Sequence, residues 1–122
     1  MNVFLVEDSD LIRERLYAML GGLSGVEVVG HAGTAADAIA ALLEASPDVV
    51  VLDLRLKGGS GIEVLRAIKH GRPTMAVIVL TNYATAEYRK KCLEAGAEYF
   101  LDKTNEFDQL GPILDQLGRR NA

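Results

Sequence analysis

A chain of 122 residues, 49% hydrophobic and 25% charged, is long enough to bury one core and no more. Its net charge of −4 and pI of about 5.1 exclude a general affinity for nucleic acid or anionic membrane, because no basic stripe is present to neutralise phosphates. The single Cys92 excludes an intramolecular disulfide and a multi-cysteine zinc site, and reads as half-buried packing. Two basic clusters, Arg89-Lys90-Lys91 and Arg119-Arg120, read as a solvated helix face and a frayed tail. Met1 leads straight into Val3-Phe4-Leu5-Val6, too short to span a membrane and followed by acids. A soluble chain in the cytoplasm, with no signal peptide and no membrane contact, is expected.

The first apolar run, at 3–6, ends at Glu7-Asp8, and helical spacing follows at Ile12, Leu16, Met19 and Leu20. A second run, at 26–29, leads to Thr34, which stands three residues before Asp37 as a helix cap does; Ile39, Leu42 and Leu43 form the next stripe. Ser46-Pro47 separates that helix from the run 49–54, because a residue before proline is pushed out of the helical region. Asp53 lies inside this third run. Ser60-Gly61-Ile62-Glu63 has capping-box spacing and opens a helix with Ile62, Leu65 and Ile68 on one face. The run 76–80 ends at Thr81, Gly96 is placed to end a fourth helix in a left-handed conformation, and a weaker run at 99–101 leads to Asp102-Lys103. The last stripe, Leu110, Ile113, Leu114 and Leu117, contains Pro112; an interior proline costs about 3 kcal/mol, so this helix is expected to kink or to start late. Runs rich in β-branched residues and nearly continuous in apolar character suit strands covered on both faces. Their alternation with helices predicts one α/β domain over residues 1–122: a five-stranded parallel sheet, doubly wound, with no repeat or linker.

In such a sheet the carboxyl ends of the strands gather at one edge, where open α/β sheets do chemistry. Glu7, Asp8, Asp53, Thr81 and Lys103 all fall there. Asp8 is compatible with an ordinary helix cap, but Asp53 interrupts the most hydrophobic stretch of the chain and must be paired, metal-bound or exposed at the edge. Three acids together are unfavourable without a cation among them, and carboxylate oxygens with no nearby His or Cys point to Mg²⁺ or Mn²⁺ rather than zinc. Lys103 offers a fixed counter-charge and Thr81 a hydroxyl donor to an anion.

These residues resemble the receiver domain of bacterial two-component response regulators: Val-Glu7-Asp8-Ser, Asp53 in Val-Val-Val-Leu-Asp-Leu, Ser60-Gly61, Leu-Thr81, and Lys103 after Gly-Ala-Glu-Tyr-Phe-Leu-Asp. The resemblance covers essentially the whole chain. It implies a flavodoxin-like (βα)5 fold with strand order 2-1-3-4-5 and a phosphoryl-transfer switch rather than a conventional turnover enzyme. Asp53 would take a phosphoryl group from a sensor histidine kinase or a histidine phosphotransfer protein. Mg²⁺ would be held by Asp8 and Asp53 directly, by Glu7 through water, and by the main-chain carbonyl of Arg55. Lys103 and Thr81 would bind phosphoryl oxygens, and Phe100 would read the movement of Thr81. Output would be reversible binding to a downstream protein of unknown identity, by a monomer or a phosphorylation-dependent homodimer.

Departures from the family pattern carry further expectations. Lys57 stands where proline is usual, so the loop before the third helix loses a rigid element; Thr104 stands where the family has a proline that is often cis. Phe100 has no hydroxyl to satisfy, and Tyr99 points to the other face of its strand. Arg55, Asn82 and Tyr83 are large and are expected to modulate access to the phosphoryl group. The run Val28-Val29-Gly30-His31-Ala32, followed by Thr34 and Asp37-Ala38, resembles receivers that precede a helix-turn-helix output domain. Alternatives are a phosphorelay intermediate or phosphate sink, a fragment of a longer DNA-binding regulator, and, outside the family, a flavodoxin-like binding module or metal-dependent phosphatase. Arg55, in place of a second Asp, counts against the phosphatase.

Overall fold

The computed structural model describes residues 1–120. Strand β1 (Asn2–Val6) is followed by α1 (Asp10–Gly21), β2 (Glu27–Ala32), α2 (Ala35–Ala45), β3 (Val49–Leu52), α3 (Gly61–Gly71), β4 (Ala76–Thr81), α4 (Ala86–Glu94), β5 (Tyr99–Asp102), a single 3-10 turn (Phe107–Gln109) and α5 (Leu110–Arg120). All neighbouring strands are parallel, in the order β2-β1-β3-β4-β5. This is the doubly wound flavodoxin-like arrangement.

Two cores lie on the two faces of the sheet. Phe4, Val50, Leu52, Val77, Val79 and Phe100 pack with α2, α3 and Cys92 of α4; Val3, Leu5, Val51, Ile78 and Leu101 pack with α1 and α5. The alternation follows from the two-residue repeat of a strand, and it puts Phe100 and Tyr99 on opposite faces. The helix stripes face these cores: Leu16, Leu20, Leu42, Leu65, Ile68, Leu110 and Leu114 are almost wholly buried. Cys92 is fully buried, deeper than the half-burial expected.

Four helices start on a hydroxyl that accepts a backbone N–H: Ser9 from Ile12, Thr34 from Asp37, Ser60 from Ile62 and Thr85 from Tyr88. Ser60 thus bonds one residue earlier than the capping box anticipates. Ser46 leaves α2 with φ 45° and ψ 58°, a left-handed cap before Pro47, and Gly96 takes φ 107° after α4. Several boundaries differ from the sequence reading. β3 ends at Leu52, so Asp53 is the first residue beyond the strand, not inside it. β2 runs on through Gly30-His31-Ala32; its pairing with β1 is irregular between Val3 and Phe4, and a Cβ at Gly30 would meet the Phe4 ring at 3.0 Å. Pro112 lies in the first turn of α5, after the 3-10 turn, where a proline is tolerated; the helix starts at Leu110. Arg119 and Arg120 belong to α5 rather than to a frayed tail, and Arg119 pairs with Asp115 at 3.1 Å.

Candidate functional site

β1 and β3 lie side by side, with Val6 opposite Leu52, so the residues that follow them meet at the same edge. Asp53 N–H donates to Val6 O at 3.0 Å, and this bond carries Asp53 to the end of β1. Glu7, Asp8 and Asp53 each present a carboxylate oxygen within 4.8 Å of the others. Asp8 is free to join them because Ser9, not Asp8, caps α1. β5 delivers Lys103, whose N–H donates to Thr81 O at 3.0 Å and whose ammonium contacts Asp53 Oδ2 at 2.8 Å and Glu7 Oε1 at 2.5 Å. Asp53 Oδ1 accepts from Leu54 N–H at 2.7 Å, and Glu7 Oε2 from Ser9 N–H at 3.1 Å.

Glu7, Asp53, Thr81 and Lys103 are the buried polar residues among those described. Burial pushes the Glu7 carboxyl above its ordinary range, even though Lys103 and the Ser9 N–H pull the other way. Burial alone would lower the Lys103 ammonium, but its bonds to Asp53 and Glu7 outweigh that and leave its pKa raised. Lys103 is therefore a charged ammonium, shared by Glu7 and Asp53, with Asp8 as a third acid beside them. The donor set is all oxygen and its negative charge exceeds what Lys103 neutralises, which fits a hard divalent cation and not zinc.

Beyond the acids, Thr81 ends β4 fully buried, and its Oγ1 accepts the Tyr83 N–H at 3.1 Å. That bond aims the β4–α4 loop at the β3–α3 loop. The Arg55 guanidinium lies 4.1 Å from the centre of the Tyr83 ring, a cation–π stack between two exposed side chains at the rim. Asn82 beside them is exposed. A cleft of about 270 Å³ lies under the stack, lined by Leu54, Ser60, Ile62 and Tyr88 among others.

The sequence matches the response regulator receiver domain family over residues 3–115. The chain belongs to that family. This receiver is 36% identical over 118 residues to the DNA-binding transcriptional activator DevR/DosR of Mycobacterium tuberculosis, covering 97% of this chain and 54% of the relative. It is 28% identical over 117 residues to the response regulator GacA of Pseudomonas aeruginosa, covering 96% and 55%. It thus spans about half the length of these relatives. Similar solved structures include the response regulator domain of Thermotoga maritima CheB, with a TM-score of 0.85, 28% identity and coverage of 98% of this chain and 94% of that one. A LuxR-family two-component response regulator from Aurantimonas has a TM-score of 0.89 at 28% identity, covering 97% and 84%. The chain is a receiver domain of two-component response regulators.

Two features of this receiver escaped the sequence reading. Arg89, assigned to a solvated face, donates to Phe100 O at 3.2 Å and lies 5.9 Å from the Phe100 ring, so the buried aromatic has a charged neighbour from α4. The loop with Lys57 in place of proline is tethered at two points: Ala35 N–H to Gly58 O at 3.0 Å, and the bridge between Arg55 and Ser60, to which Gly61 N–H to Leu54 O at 2.8 Å belongs. Lys103-Thr104 is a trans peptide; Thr104 N–H donates to Asp102 Oδ1 at 2.8 Å and so shapes the turn without a proline.

Proposed function

We propose that Asp53 accepts a phosphoryl group from a phosphohistidine of a sensor histidine kinase or a histidine phosphotransfer protein. The observation that carries this is the convergence of the Asp53 carboxylate with Glu7, Asp8 and the Lys103 ammonium at one sheet edge. An Asp53 oxygen attacks phosphorus, the P–N bond breaks, and its electron pair stays on the imidazole, which, protonated on its other ring nitrogen, leaves as the neutral ring. Lys103 holds its proton throughout and offers positive charge to a phosphoryl oxygen, while the Thr81 hydroxyl can donate to another. Glu7, Asp8, Asp53 and the main-chain carbonyl of Arg55 would hold Mg²⁺, or Mn²⁺ in its place. When bound, the ion neutralises charge on the transferring group.

Arg55, Tyr83 and Asn82 screen the approach of water to the phosphorylated site, and Phe100, whose carbonyl accepts from Arg89 of α4, couples Thr81 to the α4 surface. The domain would act in the cytoplasm and signal by reversible binding to a downstream protein. No described helix is long and apolar enough to cross a membrane. A second reading, a receiver segment of a longer DNA-binding regulator, is favoured by the coverage of DevR/DosR, about half that protein's length.

Incubation with acetyl phosphate and Mg²⁺, followed by intact mass, tests the chemistry. Wild type should gain one phosphoryl mass and Asp53→Asn none; labelling of the variant at the wild-type rate would overturn the assignment.

A further inference from the structure

Gly61 is the first residue of α3, directly after the Ser60 cap. Helix propensity favours alanine over glycine there. Nor does its backbone take the positive φ of Gly58 and Gly59, 130° and 105°. Conformation therefore does not ask for glycine, but space does. A Cβ on Gly61 would lie 2.0 Å from the Asp53 carbonyl oxygen, 2.8 Å from Leu54 Cα and 2.9 Å from the Asp53 carbonyl carbon. All three are main-chain atoms, which cannot swing aside as the end of a flexible side chain can.

The main chain of Asp53 is thus held from two directions. Its N–H is bonded to Val6 O, and its carbonyl is in close contact with the first turn of α3, where Gly61 N–H bonds Leu54 O at 2.8 Å. We propose that Gly61 is a positioning residue for phosphoryl acceptance: its bare Cα lets α3 seat on the Asp53–Leu54 backbone and so sets where the Asp53 carboxylate meets Lys103, Glu7 and Asp8. This rests on the reading of Asp53 as the acceptor. A methyl at Gly61 is more than an ångström short of ordinary contact with the Asp53 carbonyl. Val64, Leu65 and Ile68 are fully buried and pin α3, so the displacement falls on residues 53–55. A misplacement of about 1 Å can cost about a hundredfold in rate.

The experiment compares wild type, Gly61→Ala, Ile68→Val and Gly111→Ala in phosphorylation by acetyl phosphate and in Mg²⁺ binding by calorimetry. Thermal unfolding is recorded for each. Ile68→Val destabilises α3 without touching Asp53, and a Cβ at Gly111 meets only Leu23, at 3.8 Å. Gly61→Ala should slow phosphorylation about a hundredfold and weaken Mg²⁺ binding while still melting cooperatively. Both controls should phosphorylate at the wild-type rate. A Gly61→Ala protein with wild-type rate and Mg²⁺ affinity, or an Ile68→Val protein with the same loss, overturns the proposal. If wild type itself is not labelled, or Asp53→Asn is, the acceptor assignment fails instead. A measurement on wild type covers the case in which Gly61→Ala does not fold. By reciprocal coupling, Mg²⁺ should slow amide exchange of Gly61 more than that of Leu65 and Ile68, and equal slowing overturns the proposal.

Discussion

Two lysine–carboxylate clusters sit at opposite edges of the sheet. At the edge where the strands begin, Lys69 of α3 donates to Met75 O at 2.8 Å and to both carboxylate oxygens of Glu98, of which Oε2 also accepts Val77 N–H at 3.2 Å. One acid meets one base, and both find backbone partners that clip α3 to β4 and β5. At the edge where the strands end, Lys103 faces both Glu7 and Asp53 with Asp8 beside them, and its side chain is only 6% exposed. The contact type is the same but the stoichiometry differs. A balanced pair is complete as structure, whereas three carboxylates against one ammonium leave negative charge that a further cation relieves.

The comparison breaks most visibly on removal of each lysine. Lys103→Met leaves two buried carboxylates unpaired, so urea unfolding in EDTA should show a loss of about 3 kcal/mol. Much of that should return with Mg²⁺, which takes over as counter-charge. Lys69→Met acts on a partly exposed pair and should cost at most about 1 kcal/mol, with no response to Mg²⁺. Equal losses in the two variants, or equal rescue, would remove the distinction between clip and site.

Asp8→Ala is the next largest. Loss of one of the three carboxylates should weaken Mg²⁺ binding at least about tenfold while the metal-free fold is unchanged or firmer, because repulsion is relieved. An unchanged Mg²⁺ titration would contradict the donor set.

The Arg55–Tyr83 stack gives a smaller effect, on lifetime. An exposed cation–π contact is worth about 0.5–1 kcal/mol, so Arg55→Ala and Tyr83→Ala should each speed dephosphorylation about two- to fivefold under saturating Mg²⁺. Slower decay in Arg55→Ala would show instead that the guanidinium assists hydrolysis.

Glu7 sharpens the comparison through pH. Its pKa is raised in the fold, so its contribution to stability is full below the ordinary 4.5 and is lost as pH rises through the raised value. Glu7→Gln imitates the protonated form at every pH. In EDTA at pH 8 it should melt slightly above wild type, with the gap closing as pH falls toward 4.5; a gap that widens on acidification would reverse the sign.

The alternation of strands with helices in a parallel sheet, their burial on both faces and the gathering of Glu7, Asp8, Asp53, Thr81 and Lys103 at one edge were legible in the residues, while the strand order came from the resemblance to receiver domains. Each depends on local apolar runs and on a topology with few alternatives. Two of the four helix caps, Thr34 and Ser60, were legible for the same reason, since each bonds within three residues of itself, whereas Ser9 and Thr85 were not singled out. What stayed hidden involves pairs far apart in the chain. Lys103 reaches Glu7 as well as the expected Asp53, Arg55 stacks on Tyr83 from a different loop, and Arg89 reaches Phe100. The empty space that Gly61 leaves beside the Asp53 carbonyl is of the same kind, because a clash exists only once two segments are packed. Periodicity and end signals place residues on elements and elements at edges. Distances between side chains, and the charge balance that makes one lysine cluster a clip and the other a site, follow only when the helices have seated on the sheet.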